Sequence, residues 1–223
     1  MATARKIVFA NEEYYHVFNR GIDRRVTFTN KREYNRAINL LSFYQYASIP
    51  LRYSRYSGLQ KENQQKQLEV MIGSGKIIEM IAYCLMPNHF HLLIKQKEDK
   101  GIATYISNFM NAYTKYFNTK YEREGPLFQG VFKAVYIESD EQLVHLTRYI
   151  HLNPVSSSLI TPDHLQTYPW SSYPAYLGIV EDNLVSYATV TSMQAMVPGY
   201  EEFVKDQISY AKKLEIIKHL TVE

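Results

Sequence analysis

His89 and His91 lie two residues apart in Pro87-Asn88-His89-Phe90-His91, at the head of a run over 89–96 that reads as a β-strand. Alternate strand side chains share a face, so both imidazoles project one way and Phe90, Leu92 and Ile94 the other. Two neutral imidazoles on a rigid strand supply half of a divalent-metal site. Spacing alone leaves a second reading open, two partly buried histidines in a chain that contains 7. Further on, His145, Tyr149 and Asn153 recur four apart on a helical pattern and so share one helix face. A tyrosine hydroxyl, with a pKa of about 10, attacks poorly unless a metal or a base helps it. The Asn153 amide oxygen, one turn beyond, is suited to complete a site begun by the histidines. Two imidazoles and one oxygen leave room on Mg²⁺ or Mn²⁺ for phosphate oxygens and water. An ion so held polarises a phosphate and offsets the charge that develops on it. Taken without the histidines, Tyr149 reads as a tyrosine packed partly under its helix.

The elements that must position these groups follow from the pattern. Residues 13–19 are β-formers and predict a first strand, followed by a basic, glycine-containing turn, Arg20-Gly21-Ile22-Asp23-Arg24-Arg25. Asn30 with Glu33 resembles a capping pair for a helix to about residue 46. Residues 50–75 are polar and read as a surface excursion with a short helical pattern through 64–71. Two strands, 77–86 and 89–96, separated only by Pro87-Asn88, imply an antiparallel hairpin. Tyr105, Ile106, Phe109, Met110, Tyr113, Tyr116 and Phe117 mark a long amphipathic helix ended near Gly125-Pro126. Residues 128–137 read as a loop entering a last strand. Ser139-Asp140-Glu141-Gln142 is a capping box for a helix expected to stop near Leu152, because Pro154 disfavours helical geometry at Asn153. The segment 160–180 reads as loop, and a charged amphipathic helix is expected over roughly 199–221.

Composition sets the frame. The chain has 223 residues, 46% hydrophobic and 21% charged, enough for a sizeable core. It carries 20 tyrosines against one tryptophan, and tyrosines stack on bases as well as fill cores, which makes nucleic acid a candidate partner. The net charge of +3 adds little, but Arg20, Arg24 and Arg25 cluster, as do Lys115, Lys120 and Arg123, the latter reading by default as a solvated helix face. One cysteine excludes an intrachain disulfide and suits a reducing cytoplasm. The first residues lack the apolar core of a signal peptide, and no apolar run nears the roughly 20 residues of a membrane span. The expectation is a soluble cytoplasmic protein without membrane partners.

The His-hydrophobic-His motif at 89–91 resembles that of HUH-type nucleases. Arg148-Tyr149-Ile150-His151-Leu152-Asn153-Pro154-Val155 resembles the tyrosine helix of single-tyrosine transposases, above all the REP-associated tyrosine transposases related to small insertion-sequence transposases. Ala82-Tyr83-Cys84-Leu85-Met86, Gly125-Pro126-Leu127-Phe128-Gln129-Gly130, Phe132-Lys133 and Tyr168-Pro169-Trp170-Ser171-Ser172-Tyr173 match as well, so the resemblance covers about residues 10–176. It implies an α+β, ferredoxin-like antiparallel sheet with helices packed on it, a nuclease domain over 1–180 and a C-terminal helical extension over 181–223. It further implies His89, His91 and Asn153 as ligands of Mg²⁺ or Mn²⁺ and Tyr149 as the nucleophile. The substrate it implies is single-stranded DNA near a hairpin, cut through a 5′-phosphotyrosine. Arg20, Arg24, Arg25 and Lys133 are the candidate DNA-backbone contacts. Tyr113 and Tyr116, also on a helix, rank below Tyr149 because the Tyr149 helix also supplies Asn153 and ends in Asn-Pro, as in the family pattern. Relatives of this kind act as monomers or homodimers. Two rivals stand: a zinc hydrolase, which needs further His, Asp or Glu ligands that are not evident beside the pair, and a catalytically silent hairpin-binding descendant of a transposase.

Overall fold

The computed structural model describes residues 7–185 and 187–208. In chain order the elements are β1 (Tyr14–Arg20), α1 (Lys31–Phe43), α2 (Tyr53–Tyr56), α3 (Lys61–Gly73), β2 (Ile78–Met86), β3 (His89–Gln96), α4 (Gly101–Lys120), β4 (Lys133–Tyr136) and α5 (Asp140–Ser156). α6 (Tyr173–Tyr176), α7 (Tyr187–Met196) and α8 (Tyr200–Lys205) follow. The strands form one antiparallel sheet in the order β2-β3-β1-β4. With α1 between β1 and β2, and α4 between β3 and β4, this is the ferredoxin-like βαββαβ arrangement expected from the motifs.

Each face of the sheet is covered by different helices. On one face Phe90 meets Phe109 of α4 edge-on, with ring centroids 5.5 Å apart, and Tyr105 of α4 donates to the Leu41 carbonyl of α1 at 3.0 Å. On the other face α5 lies across β2 and β3. Coverage on both sides explains why β2 is apolar along most of its length instead of alternating. Its outer edge is closed as well. Leu85 N–H donates to the Trp170 carbonyl, Ser172 N–H to the Tyr83 carbonyl, and the Tyr168 and Tyr176 hydroxyls to the carbonyls of Leu85 and Ile81. The Tyr168–Tyr173 segment therefore serves as a cover over a sheet edge that would otherwise be open to pairing.

The tyrosine content has a structural explanation in the same pattern. Tyr15, Tyr105, Tyr113, Tyr173 and Tyr176 are fully buried, and the hydroxyls of Tyr105, Tyr113 and Tyr176 each reach a backbone carbonyl. They bury large ring areas while satisfying carbonyls that the sheet and turns leave over. Tyr113 is thereby excluded as a nucleophile, since its hydroxyl donates to Thr27 O at 2.6 Å inside the core.

Helix caps follow the sequence with two adjustments. Asn30 accepts from Glu33 N–H, but the Glu33 carboxylate reaches one residue further back, to the N–H and hydroxyl of Thr29, and also takes Lys120 and Tyr121. α1 ends at Phe43 rather than near residue 46. Ser139 accepts from Gln142 N–H and Gln142 accepts from Glu138 N–H, so the capping box at α5 forms. α5 does not stop at Leu152: it runs through Pro154 to Ser156. Pro154 and Val155 are buried, and that packing offsets the bond that proline withholds, about 3 kcal/mol in a helix interior. α8 packs back on α5 through Tyr200, whose hydroxyl donates to Thr147 Oγ1. Of the helix expected over 199–221, the part beyond residue 208 lies outside the described residues. Among the described residues no helix is long and apolar enough to cross a membrane.

Candidate active site

The β1–β3 register places Arg20 opposite His89 and Phe18 opposite His91, and the β1–β4 register places Lys133 opposite Phe18. Paired residues share a face. His89, His91, Arg20 and Lys133 are thus brought to the α5 side of the sheet, with Arg20 and Lys133 exposed. Arg24 and Arg25 sit on the turn next to it. That turn is clasped to the hairpin: Gly21 N–H donates to Asn88 O, and the N–H groups of Thr27 and Phe28 to Pro87 O. Gly21 is required by close approach, since a Cβ there would lie 2.3 Å from the Arg25 carbonyl oxygen.

α5 lays Tyr149 over the histidines. The Tyr149 ring stands edge-on to His91 at 5.6 Å between centroids and to His16 at 6.1 Å, while 41% of the residue stays exposed. His89 and His91 are 5.0 Å apart. Asn153, one turn after Tyr149, is buried, and its Nδ2 donates to the Tyr149 carbonyl at 2.8 Å. The amide oxygen is then the end left to act as a ligand. His145, by contrast, points to solvent, beside Glu141 and Arg148, and takes no part.

Two residues that matter here were not singled out from the sequence. The first is Asn88. Its Nδ2 donates to the Arg24 carbonyl, which leaves Oδ1 to accept from His89 Nδ1–H at 2.7 Å. That fixes the His89 tautomer with its lone pair on Nε2. The second is His16, buried on β1, whose Nε2 lies 2.9 Å from His91 Nδ1. With the proton on His91 Nδ1, Nε2 of His91 also carries a lone pair. Burial lowers His16 and His89 to about 4, with Arg20 adding to the effect at His89, so both are neutral near pH 7. The neutral His89 imidazole and the His91 imidazole, each oriented by a partner on its other nitrogen, and a buried amide oxygen form a donor set that suits a divalent ion. Among the described residues no group of three or more His, Cys, Asp or Glu is arranged to hold a metal. The further acidic ligands that a zinc hydrolase needs are therefore not found there.

Comparison with known proteins places this arrangement. The family model described as "Transposase IS200 like" matches residues 10–153, from just before β1 through Asn153. The chain belongs to the IS200-like transposase family. A Haemophilus influenzae protein described as a REP-associated tyrosine transposase is 28% identical over 105 residues, 43% of this chain and 58% of that protein, so the chain spans little more than half the length of this relative. A solved structure of a REP-associated tyrosine transposase bound to a REP hairpin covers 83% of this chain and 92% of its own, with a TM-score of 0.54 and 14% identity, and shares the fold. A transposase structure from Deinococcus radiodurans, 13% identical, covers 67% of this chain and 95% of its own with a TM-score of 0.36.

Proposed function

We propose that this transposase-family chain cuts and rejoins single-stranded DNA near a hairpin, with Tyr149 as the attacking group. The observation that carries the reading is the placement of a half-exposed tyrosine over His91, on the face where His89, Arg20 and Lys133 converge. The hairpin enters because the solved structure of similar fold holds one.

In this reading Arg20 and Lys133, with Arg24 and Arg25 at the rim, hold backbone phosphates and set one phosphodiester against Tyr149. His89, His91 and Asn153 would hold a divalent ion, Mg²⁺ or Mn²⁺, which would supply positive charge to offset the negative charge developing on the phosphate. The Tyr149 oxygen bonds to phosphorus as the bond to the 3′-oxygen breaks. Its proton passes to solvent at the exposed rim, and the departing 3′-oxygen takes one up. The products are a 5′-phosphotyrosine and a 3′-hydroxyl. Because the ester link is conserved, a 3′-hydroxyl of another strand reverses the step without ATP. The helical position of Tyr149, anchored by Ile150 and Leu152 in the core, holds the hydroxyl in place.

End-labelled hairpin substrates test the polarity. The reading requires a 3′ product end that a polymerase extends and a 5′ end that phosphatase and kinase cannot label even after the protein is digested, because a tyrosyl peptide stays on the phosphate. A 3′-phosphate, or a free 5′-phosphate, would place the chemistry elsewhere. Specific hairpin binding without any cleavage would favour a silent DNA-binding protein.

A further inference from the structure

We propose that the groove between α1 and α4, on the sheet face opposite Tyr149, binds the phosphate backbone of a DNA strand. The inference rests on the DNA reading above and adds a second contact surface to it. The groove encloses a cavity of about 810 Å³ whose lining contains Arg32, Arg36, Arg52, Lys115 and Lys120 and no Asp or Glu. Five cations without an acid stand out in a chain whose net charge is only +3.

Three of these cations are uncommitted. Arg32, Arg52 and Lys115 are exposed, and among the described residues none takes part in a salt bridge. Lys120, by contrast, is bound to the buried Glu33 carboxylate at 2.6 Å and serves the fold. Arg36 is held between two rings, 4.5 Å from the Tyr53 centroid and 4.9 Å from that of Tyr116, which fixes its guanidinium as a rigid donor fork. Its Nε and the Tyr116 hydroxyl are buried without a hydrogen-bond partner. A buried group left without a partner is destabilising, and an anion drawn into the groove relieves it.

The layout suits a repeating anion better than a single one. Asn108, Asn111, Lys115 and Thr119 line one face of α4 at helical spacing. Eleven residues of helix rise roughly 16 Å, the length of about five nucleotides at ~3.4 Å per step. Amide and hydroxyl donors interleaved with cations are the side chains that hold phosphate and sugar oxygens without reading bases. The Lys115–Lys120 cluster, which by sequence is an ordinary solvated helix face, becomes one wall of this groove.

Fluorescence anisotropy on the full chain tests the proposal. The substrates are a hairpin with a single-stranded tail, the blunt hairpin and the tail alone, each titrated from low to moderate NaCl. The variant is Arg32→Gln/Arg52→Gln/Lys115→Gln, all at exposed positions, with its melting temperature checked against wild type. A charge-matched control, Lys61→Gln/Lys66→Gln/Lys100→Gln, removes exposed cations elsewhere. Each lost phosphate contact lowers the salt slope by ~0.7 on a single strand and ~0.9 on duplex. The groove variant is expected to lose about 2 to 3 from the slope and at least ~10-fold in affinity on one substrate class, the control neither. Loss on the tail identifies the occupant as single strand; loss on the blunt hairpin identifies it as stem. If wild type binds DNA and the groove variant matches it, this proposal is overturned while the account of Tyr149 stands. If wild type binds no DNA, both fall.

Discussion

His16 gives the sharpest expectation short of the chemistry itself. Its Nε2 and His91 Nδ1 are 2.9 Å apart, and both residues are less than 10% exposed, so water does not replace the bond when one partner is removed. His16→Phe keeps an aromatic ring of similar outline and deletes the nitrogen. It removes the nitrogen that holds the His91 ring, so that the ring either turns or lets its proton settle on Nε2, which abolishes the lone pair a metal needs. Either way Mn²⁺ affinity is expected to drop 10- to 100-fold, about 1.4–2.7 kcal/mol, the usual cost of losing such a partner. Isothermal titration of Mn²⁺ into the protein without DNA measures it directly, and hairpin affinity in EDTA serves as the control that the surface is intact. His16→Gln, which can still offer an oxygen to Nδ1–H, is expected to recover part of the loss. Unchanged Mn²⁺ affinity in His16→Phe would refute the assignment of His16 as the group that orients His91.

Asn88→Ala removes both the tie to the Arg24 carbonyl and the acceptor for His89, and is expected to lower Mn²⁺ affinity about tenfold at a stability cost near 1 kcal/mol, read by calorimetry and urea melts. Gly21→Ala forces a Cβ to within 2.3 Å of a backbone oxygen, so the basic turn must shift; a loss of roughly 1–3 kcal/mol and weaker hairpin binding are expected. His151 is fully buried between Tyr200 and Ser172, and burial lowers it to about 3. The unfolded chain therefore binds more protons below its ordinary value of 6.5, and stability falls as pH drops from there toward 3. Between pH 7 and 5 this one group accounts for about 2 kcal/mol, so His151→Gln, less stable at pH 7, is expected to show that much less pH dependence in urea melts.

The sheet and its helices were legible because their signals are local: a two-residue turn between two apolar runs, a capping box, and helical spacing of aromatics. What the sequence does not display is pairing between distant strands. His16 sits in a run of β-formers with no motif around it, and only the register that sets Phe18 against His91 brings it to the site. Alternation could have raised it, since it shares parity with Phe18 and Arg20 on β1. Asn88 was visible as a turn residue, but its bond to His89 depends on the direction of a side chain. The end of α5 was misjudged for a related reason. Proline is a local argument for stopping, and the burial of Pro154 and Val155 is a tertiary one that outweighs it. The tyrosines show the reverse case, a composition that suggests a ligand and resolves largely into core struts.

The central claim is that Tyr149 forms the covalent bond to DNA. The most direct measurement incubates the protein with a tailed hairpin and Mn²⁺, digests both, and finds the phosphorylated peptide by mass spectrometry. The account requires an Mn²⁺-dependent adduct on the peptide containing Tyr149, absent in EDTA and in Tyr149→Phe, while that variant, altered at a position 41% exposed, folds and binds the hairpin normally. An adduct on another residue, or one that persists in Tyr149→Phe, would contradict it.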